Sequence, residues 1–241
     1  MIEVRNLTKT YGTKTVVSNA TWTAADGAIT GFIGPNGSGK TTTLKMITGV
    51  ETPTSGEALV NGRDVRKDGL AVKKDFAYVS DSPDHFLRLR GIEYLNFMAN
   101  VYEVPAAGRD AKIAEMAERF GMNDALNSTI LSYSHGMRQK MMVMGALIHN
   151  PSVWILDEPM LGLDPQSAFE LKKMMREHAD AGNSVLFSTH VLEVAEKLCD
   201  QVVIIRSGQI RFAGKLEDLE AQHPGKSLEE IFLIVTGDAH E

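Results

Sequence analysis

The segment that most restricts the fold is a glycine-rich stretch, GPNGSGKT, at residues 34–41. It follows a short apolar run at residues 29–33 and precedes residues 41–49, where apolar side chains recur at helical spacing. This order of strand, loop and helix matches the pattern G-x-x-x-x-G-K-[ST], in which backbone N–H groups and a helix N-terminus bind phosphate. The sequence therefore predicts an α/β fold with a polyphosphate site at this loop, here called the phosphate loop.

The residue types of the phosphate loop suit this chemistry. Glycines at 37 and 39 allow the backbone to approach a phosphate closely. Lys40 supplies a positive charge for the β- and γ-phosphates, and the Thr41 hydroxyl is a ligand for Mg²⁺. The predicted phosphate-binding set is Gly34, Pro35, Asn36, Gly37, Ser38, Gly39, Lys40, Thr41 and Thr42.

Two adjacent acids follow a second apolar run, in the sequence VWILDE at residues 153–158. Asp157 at the end of such a strand is placed to hold Mg²⁺ through water. Glu158 would point past the metal and accept a proton from an attacking water molecule, which favours hydrolysis over transfer to another substrate. Taken without the phosphate loop, the same pair would more often be a solvated turn.

The pattern of apolar residues predicts three structural parts. Residues 2–33 indicate short strands with a hairpin signal at Asp26-Gly27, and Asn61-Gly62 and Ser207-Gly208 indicate two further hairpins. Strand signals are missing from residues 87–150, where helical spacing predominates. Beyond residue 150 strands and helices alternate again, which predicts a mostly parallel sheet covered on both faces.

We therefore predict a single domain over residues 1–241 with a mostly parallel α/β core. Residues 1–86 and 151–214 form the core together with an N-terminal antiparallel β-subdomain. An α-helical subdomain is inserted at 87–150, and a helical tail follows at 215–241.

Composition excludes several classes of protein. The 25 Lys and Arg residues against 31 Asp and Glu residues give a net charge of −6, which argues against a general nucleic-acid-binding protein. The single cysteine, Cys199, allows no internal disulfide and suits a reducing cytoplasm. The least polar long stretch, residues 141–156, is interrupted by polar residues and proline, so no membrane-spanning helix is expected.

Together with the phosphate loop and the two acids, five further segments in order resemble the ATP-binding subunits of ABC transporters. The resemblance covers essentially the whole chain and implies a P-loop NTPase of the RecA-like type that hydrolyses ATP with Mg²⁺. The five segments are Tyr11 at the adenine-stacking position, residues 77–81 at the loop that usually ends in glutamine, residues 133–137 at the signature loop, residues 162–165 at the D-loop, and residues 188–190 at the switch histidine.

The resemblance also implies how these segments act. Such domains pair head-to-tail, as a homodimer or heterodimer, with ATP between the phosphate loop of one subunit and the signature loop of the other. Ser134, His135 and Gly136 would then bind the γ-phosphate across the interface, and Asp164 would order the opposite site. In the same subunit as the phosphate loop, His190 would hold the attacking water.

A separate transmembrane permease subunit is the partner that the resemblance implies. Its short helix would dock beside the helical subdomain, with residues 82–100 forming the cleft. The sequence YSHGM at 133–137 is similar to that of bacterial exporters, so we expect a peripheral ATPase on the cytoplasmic face of the membrane that drives export.

Two departures from the family pattern leave alternatives open. Asp81 stands where the family usually has glutamine, and we expect its carboxylate still to reach Mg²⁺. The signature loop has His135 and Met137 in place of glycine and glutamine, a change that a weakened site in a heterodimer would also explain. A soluble ABC-type ATPase in translation or DNA maintenance is the alternative function. A catalytically inactive scaffold and a nucleotide kinase are disfavoured.

Overall fold

The computed structural model describes residues 1–237, and within that range two β-sheets organise the fold. The elements, in chain order, are the strands and helices β1 (Ile2–Tyr11), β2 (Lys14–Ala24), β3 (Ala28–Ile33), α1 (Lys40–Ile47), β4 (Ser55–Val60), β5 (Arg63–Asp64), α2 (Gly69–Lys73), β6 (Phe76–Val79), α3 (Gly91–Val101), α4 (Arg109–Arg119), α5 (His135–Leu147), β7 (Val153–Leu156), α6 (Pro165–Asp180), β8 (Ser184–Thr189), α7 (Leu192–Leu198), β9 (Gln201–Arg206), β10 (Gln209–Lys215), α8 (Leu216–Gln222) and α9 (Leu228–Thr236).

The larger sheet has the strand order β10-β9-β3-β8-β7-β6, and every neighbouring pair is parallel except β9 with β10. The smaller sheet, in the order β2-β1-β4-β5, is antiparallel. The predicted α/β class, with a mostly parallel core and an N-terminal antiparallel sheet, is therefore confirmed. Parallel strands place their carboxyl ends on one edge, where ligands of such sheets bind.

The hairpin predicted at Asp26-Gly27 is wrong. The two strands that flank this turn, β2 and β3, belong to different sheets. Gly27 does adopt a left-handed backbone with φ of 70°, so the local turn is real. The turn carries the chain from one sheet to the other: β2 pairs with β1, the strand before it, whereas β3 pairs with β8 and β9 from farther along the sequence.

The two sheets enclose α1 in a shared apolar core. The rings of Trp22 on β2 and Phe32 on β3 stack with centroids 5.4 Å apart, and Leu44 and Ile47 on α1 are fully buried in the same cluster. Since β3 leads into the phosphate loop and α1 leaves it, burial on both sides holds the ends of that loop. A rigid loop can present its backbone N–H groups in a fixed arrangement.

Residues 87–150 contain α3, α4 and α5, two short 3₁₀ turns and no named strand among the described residues. The apolar faces of these helices belong to a second cluster of buried residues. This cluster also covers the face of the parallel sheet that is opposite α1. The helical tail contains α8 and α9, which are separated by residues 223–227. The last four residues of the predicted range 215–241, residues 238–241, lie outside the described part of the chain. None of the helices in residues 1–237 has the length and apolar character to cross a bilayer.

Candidate functional site

The phosphate loop connects the carboxyl end of β3 to the N-terminus of α1, as the sequence predicts. Gly39 immediately precedes α1 with φ of 110°, a conformation that side chains other than glycine rarely adopt. A Cβ atom at this position would also lie only 2.9 Å from the carbonyl oxygen of Val16. The first N–H groups of α1 have no intrahelical acceptors, so they are available to an anion at the loop.

Lys40 is almost entirely buried at the start of α1. Its ammonium group donates a hydrogen bond of 2.6 Å to the carbonyl oxygen of Gly34 and lies 3.5 Å from Oε1 of Glu158. A buried ammonium requires compensation of this kind. The contacts fix the positive charge between the phosphate loop and the second predicted acid.

Asp157 ends β7 and is fully buried beside the phosphate loop. Burial raises the pKa of its carboxyl, and the carboxylates of Asp81 and Glu158 raise this pKa further, whereas the hydroxyl groups of Ser188 and Thr41 oppose the rise. The Oδ2 atom has no hydrogen-bond partner among residues 1–237. A buried carboxylate oxygen without a partner, close to the Thr41 hydroxyl, has the chemistry of a site for a hard cation.

Glu158 brings together the phosphate loop and the segment after β8. Its Oε1 atom lies 3.0 Å from Nδ1 of His190 as well as 3.5 Å from Nζ of Lys40. The Glu158 backbone has a φ of 47°, which is uncommon outside glycine. The structure thus places Glu158, His190 and Lys40 at one point, although 32 residues separate the acid from the histidine.

A cavity of about 310 Å³ lies over these groups. It is lined by Val16, Pro35, Asn36, Gly37, Gly39, Lys40, Thr41, Thr42, Asp81, Glu158, Leu161 and His190. Most of the predicted phosphate-binding set therefore lines one cavity, together with both predicted catalytic residues. Gly34 and Ser38 lie buried beneath the loop, and the Ser38 hydroxyl has no hydrogen-bond partner among the described residues.

Tyr11 lies at the end of β1 and is 48% exposed. It does not line the cavity described above. The ammonium of Lys9 lies 4.7 Å from the centre of the Tyr11 ring.

The signature loop and the D-loop contact each other away from the cavity. A Cβ atom on Gly136 would lie 2.4 Å from the carbonyl oxygen of Gly162, and one on Gly162 would lie 2.4 Å from the ring of His135. Ser134 caps α5 by accepting a hydrogen bond from the N–H of Met137. These glycines are thus required for the close approach of the two loops.

Asp164 of the D-loop caps α6 and pairs with the signature helix α5. It accepts hydrogen bonds from the N–H and hydroxyl of Ser167, and Nζ of Lys140 lies 2.8 Å from its Oδ2 atom. The hydrogen bond from Lys140 is the largest factor that lowers the pKa of Asp164. The predicted trans-site residues therefore form one cluster, and none of them lines the cavity at the phosphate loop.

A second cavity of about 430 Å³ lies beside the first and shares Asp81 with it. Its lining is largely apolar and aromatic and includes Val50, Tyr78, Phe86, Tyr94, Met98 and Tyr102. Phe86 and Val50 are among the large apolar side chains that remain exposed. We call this cavity the cleft, and several residues of the predicted range 82–100 line it.

Sequence reasoning missed two polar contacts in this region. The Ser188 hydroxyl contacts both Asp157 and Glu158, and Lys140 joins the signature helix to the D-loop. No local pattern identifies either contact because each joins segments more than 20 residues apart. Ser188 does belong to the quoted segment Ser-Thr-His, which was the available signal.

Comparison with known proteins gives the same family for most of the chain. Residues 17–161 match the family model described as ABC transporter. The ABC-type transporter ATP-binding protein EcsA of Bacillus subtilis is 33% identical over 98% of this chain and 96% of its own length. The linearmycin resistance ATP-binding protein LnrL of the same organism is 31% identical over 98% of this chain and 76% of its own.

Similarity also extends to three dimensions. A solved structure described as the ATP binding subunit of an ABC transporter superposes with a TM-score of 0.93 at 32% identity, covering 98% of this chain and 99% of that one. This agreement over nearly the full length adds to the strand–loop–helix phosphate site and to the two acids that follow β7 in the same sheet. The chain belongs to the ABC transporter family, as one of its ATP-binding ATPase subunits.

Proposed function

We propose that this chain hydrolyses ATP in a head-to-tail dimer and thereby drives export through a separate membrane-spanning subunit. The observation that carries the proposal is the meeting of Glu158, His190 and Lys40 at the phosphate loop. A carboxylate beside a buried ammonium and an imidazole can accept a proton from water at the γ-phosphate. The chain would therefore act on the γ-phosphate of ATP with water as nucleophile.

In this proposal the phosphate loop binds ATP through its backbone N–H groups and Lys40. Tyr11 stacks on the adenine from the exposed end of β1. Glu158 accepts the proton of the attacking water, and His190 holds both that water and the γ-phosphate. The 3.0 Å contact between the two side chains supports a shared task, because each keeps the other oriented toward the loop.

Bound Mg²⁺ would neutralise charge on the phosphates during hydrolysis. We assign Thr41, Asp157 and Asp81 to its site. The unpartnered Oδ2 atom of Asp157 and the position of Asp81 at the cavity wall support this set, since Mg²⁺ prefers oxygen ligands of this type.

Asp81 is the assignment that most needs a direct test. The variant Asp81→Asn should raise the Mg²⁺ concentration that supports half-maximal ATP hydrolysis about tenfold, because it removes a negative ligand oxygen. Titration of hydrolysis with Mg²⁺ at saturating ATP measures this. The matched control is Asp84→Asn, which removes a charge from the same loop. The Asp84 carboxylate accepts a hydrogen bond from Arg138. An unchanged Mg²⁺ requirement in Asp81→Asn would remove Asp81 from the site.

The trans-site cluster supports the dimer. Ser134, His135, Gly136 and Asp164 belong to one group of contacting segments, and none of them lines the cavity at the phosphate loop of their own chain. The N-terminus of α5 there carries N–H groups that can bind an anion. A second subunit related by a two-fold axis would place its phosphate loop against this surface, and the same contact would then occur twice.

Mixing two inactive variants tests this arrangement. Lys40→Ala disables the phosphate loop, and Ser134→Arg disables the signature loop. In a head-to-tail dimer each variant alone has two broken sites, whereas a mixed dimer has one intact site. We therefore expect mixing to restore about a quarter of wild-type ATP hydrolysis, as random pairing of two-fold dimers requires. Mixing two Lys40→Ala preparations is the control, and no recovery in the unlike mixture would contradict the shared site.

The cleft supports a membrane partner. Its aromatic and apolar lining, with Phe86 and Val50 exposed, suits the short helix of a transmembrane permease subunit. This chain would then lie at the cytoplasmic face of the membrane as a peripheral subunit. The relative LnrL is named for linearmycin resistance, an outcome that outward transport of a drug would produce, and this supports export.

A further inference from the structure

We infer that Ser188 is a positioning residue for ATP hydrolysis, because its hydroxyl holds Glu158 in a strained backbone conformation. Ser188 lies near the carboxyl end of β8 and is fully buried. This inference rests on the proposed function, in which Glu158 accepts the proton of water. It adds a residue that does not line the cavity and acts through the two acids.

One hydroxyl group links both acids of the site. The backbone N–H of Glu158 donates a hydrogen bond of 2.9 Å to Oγ of Ser188. The same hydroxyl donates a hydrogen bond of 2.5 Å to Oδ1 of Asp157. Ser188 thus accepts from one residue and donates to the other, which uses both capacities of a hydroxyl at once.

The backbone of Glu158 explains why such a contact is needed. Its φ of 47° lies in the left-handed region, which costs a residue with a side chain about 1 kcal/mol or more. A conformation of this kind persists only where the surroundings hold it. The N–H of Glu158 is held by Ser188, and its carbonyl oxygen accepts a hydrogen bond of 3.0 Å from the N–H of Leu161.

Loss of the Ser188 hydroxyl would leave this N–H without its acceptor beside a buried carboxylate. The backbone at Glu158 could then relax out of the left-handed region, and the carboxylate would move with it. Because a general base acts only at hydrogen-bond distance from the proton that it accepts, a small displacement is sufficient to slow hydrolysis. Lys40 and the phosphate loop would stay in place, so binding of ATP would be preserved.

The test compares Ser188→Ala with Ser184→Ala. Ser184 lies on the same strand and is equally buried, but its hydroxyl has no hydrogen-bond partner among residues 1–237. We expect Ser188→Ala to lower kcat about 10- to 100-fold while the Kd for ATP measured without Mg²⁺ changes less than about threefold, since the contacts of Lys40 and the phosphate loop do not involve Ser188. Ser184→Ala should change neither quantity more than about twofold. Equal kcat values for the two variants would overturn the inference.

Two further measurements separate positioning from a general structural defect. Amide hydrogen exchange of the protein without nucleotide should be about tenfold faster at Glu158 in Ser188→Ala but unchanged in Ser184→Ala, because the variant removes the acceptor of that amide. In a Glu158→Gln background, Ser188→Ala should lower the remaining hydrolysis no more than about twofold, since both changes act on one group. A full additional loss, or unchanged exchange at Glu158, would contradict the inference. Full hydrolysis by Glu158→Gln alone would instead contradict the proposed function.

Discussion

Glu158→Gln is expected to bind ATP normally and to hydrolyse it at least about 100-fold more slowly than the wild type, as loss of a general base predicts. Glutamine preserves the size of the side chain and its contact with His190 but cannot accept a proton from water. The backbone contact with Ser188 should also survive because the N–H group is unchanged. Release of phosphate under saturating ATP measures the turnover, and a nucleotide titration measures the affinity.

The matched control for this experiment is Glu193→Gln. Glu193 is an exposed acid at the start of α7, three residues after His190, so the same change of charge occurs nearby without altering the cavity. Its turnover should stay within about twofold of the wild type, as is usual for exposed positions. If Glu158→Gln also kept wild-type turnover, Glu158 could not be the base.

The second large effect is expected for Lys40→Ala, which should weaken ATP binding about 10- to 100-fold. This corresponds to the loss of one hydrogen bond that involves charged groups, about 1.5–3 kcal/mol. The structure gives the reason, since the Lys40 ammonium is buried at the helix N-terminus where a polyphosphate would lie. Binding should be measured with a nucleotide analogue that is not hydrolysed, so that affinity is separated from turnover.

Lys45→Ala provides the control for Lys40→Ala. Lys45 lies on the same helix but lines the cleft instead of the phosphate cavity. Its removal changes the total charge equally and should leave ATP affinity within about twofold. Wild-type affinity in Lys40→Ala would contradict the assignment of residues 34–41 as the phosphate loop.

Local patterns were sufficient to predict the segments where chemistry and geometry are set by neighbours in sequence. The phosphate loop is an example, because Gly39, Lys40 and the start of α1 follow one another directly in the sequence. The turns at Asn61-Gly62 and Ser207-Gly208 were likewise predicted correctly as two-residue hairpins. In each case, the turn residues determine the conformation through their tolerance of positive φ.

Pairing between distant segments could not be predicted in the same way. The turn at Asp26-Gly27 has the residues of a hairpin, yet β2 and β3 join different sheets, and β3 pairs with β8 and β9 from much later in the chain. The strand β6 and helix α2 were also missed, since each is only four or five residues long. Short elements depend on their tertiary neighbours more than on their own pattern.

The candidate site shows the same division. Asp157 and Glu158 were identified because they end an apolar strand, but their contacts with Ser188 depend on the register between β7 and β8. That register pairs Leu156 with Phe187, which places Ser188 beside the two acids. Asp81 was identified only through the family resemblance, because an isolated aspartate after a short strand has no distinctive local pattern.

Asp81 borders both the phosphate cavity and the cleft. A shift of the backbone at this position therefore changes two volumes at the same time. In the proposed transporter, a conformational change at the nucleotide could therefore reach the permease without a long chain of intervening side chains, since the two cavities share a residue. The nucleotide site and the surface proposed to bind the permease are then connected through one residue, Asp81.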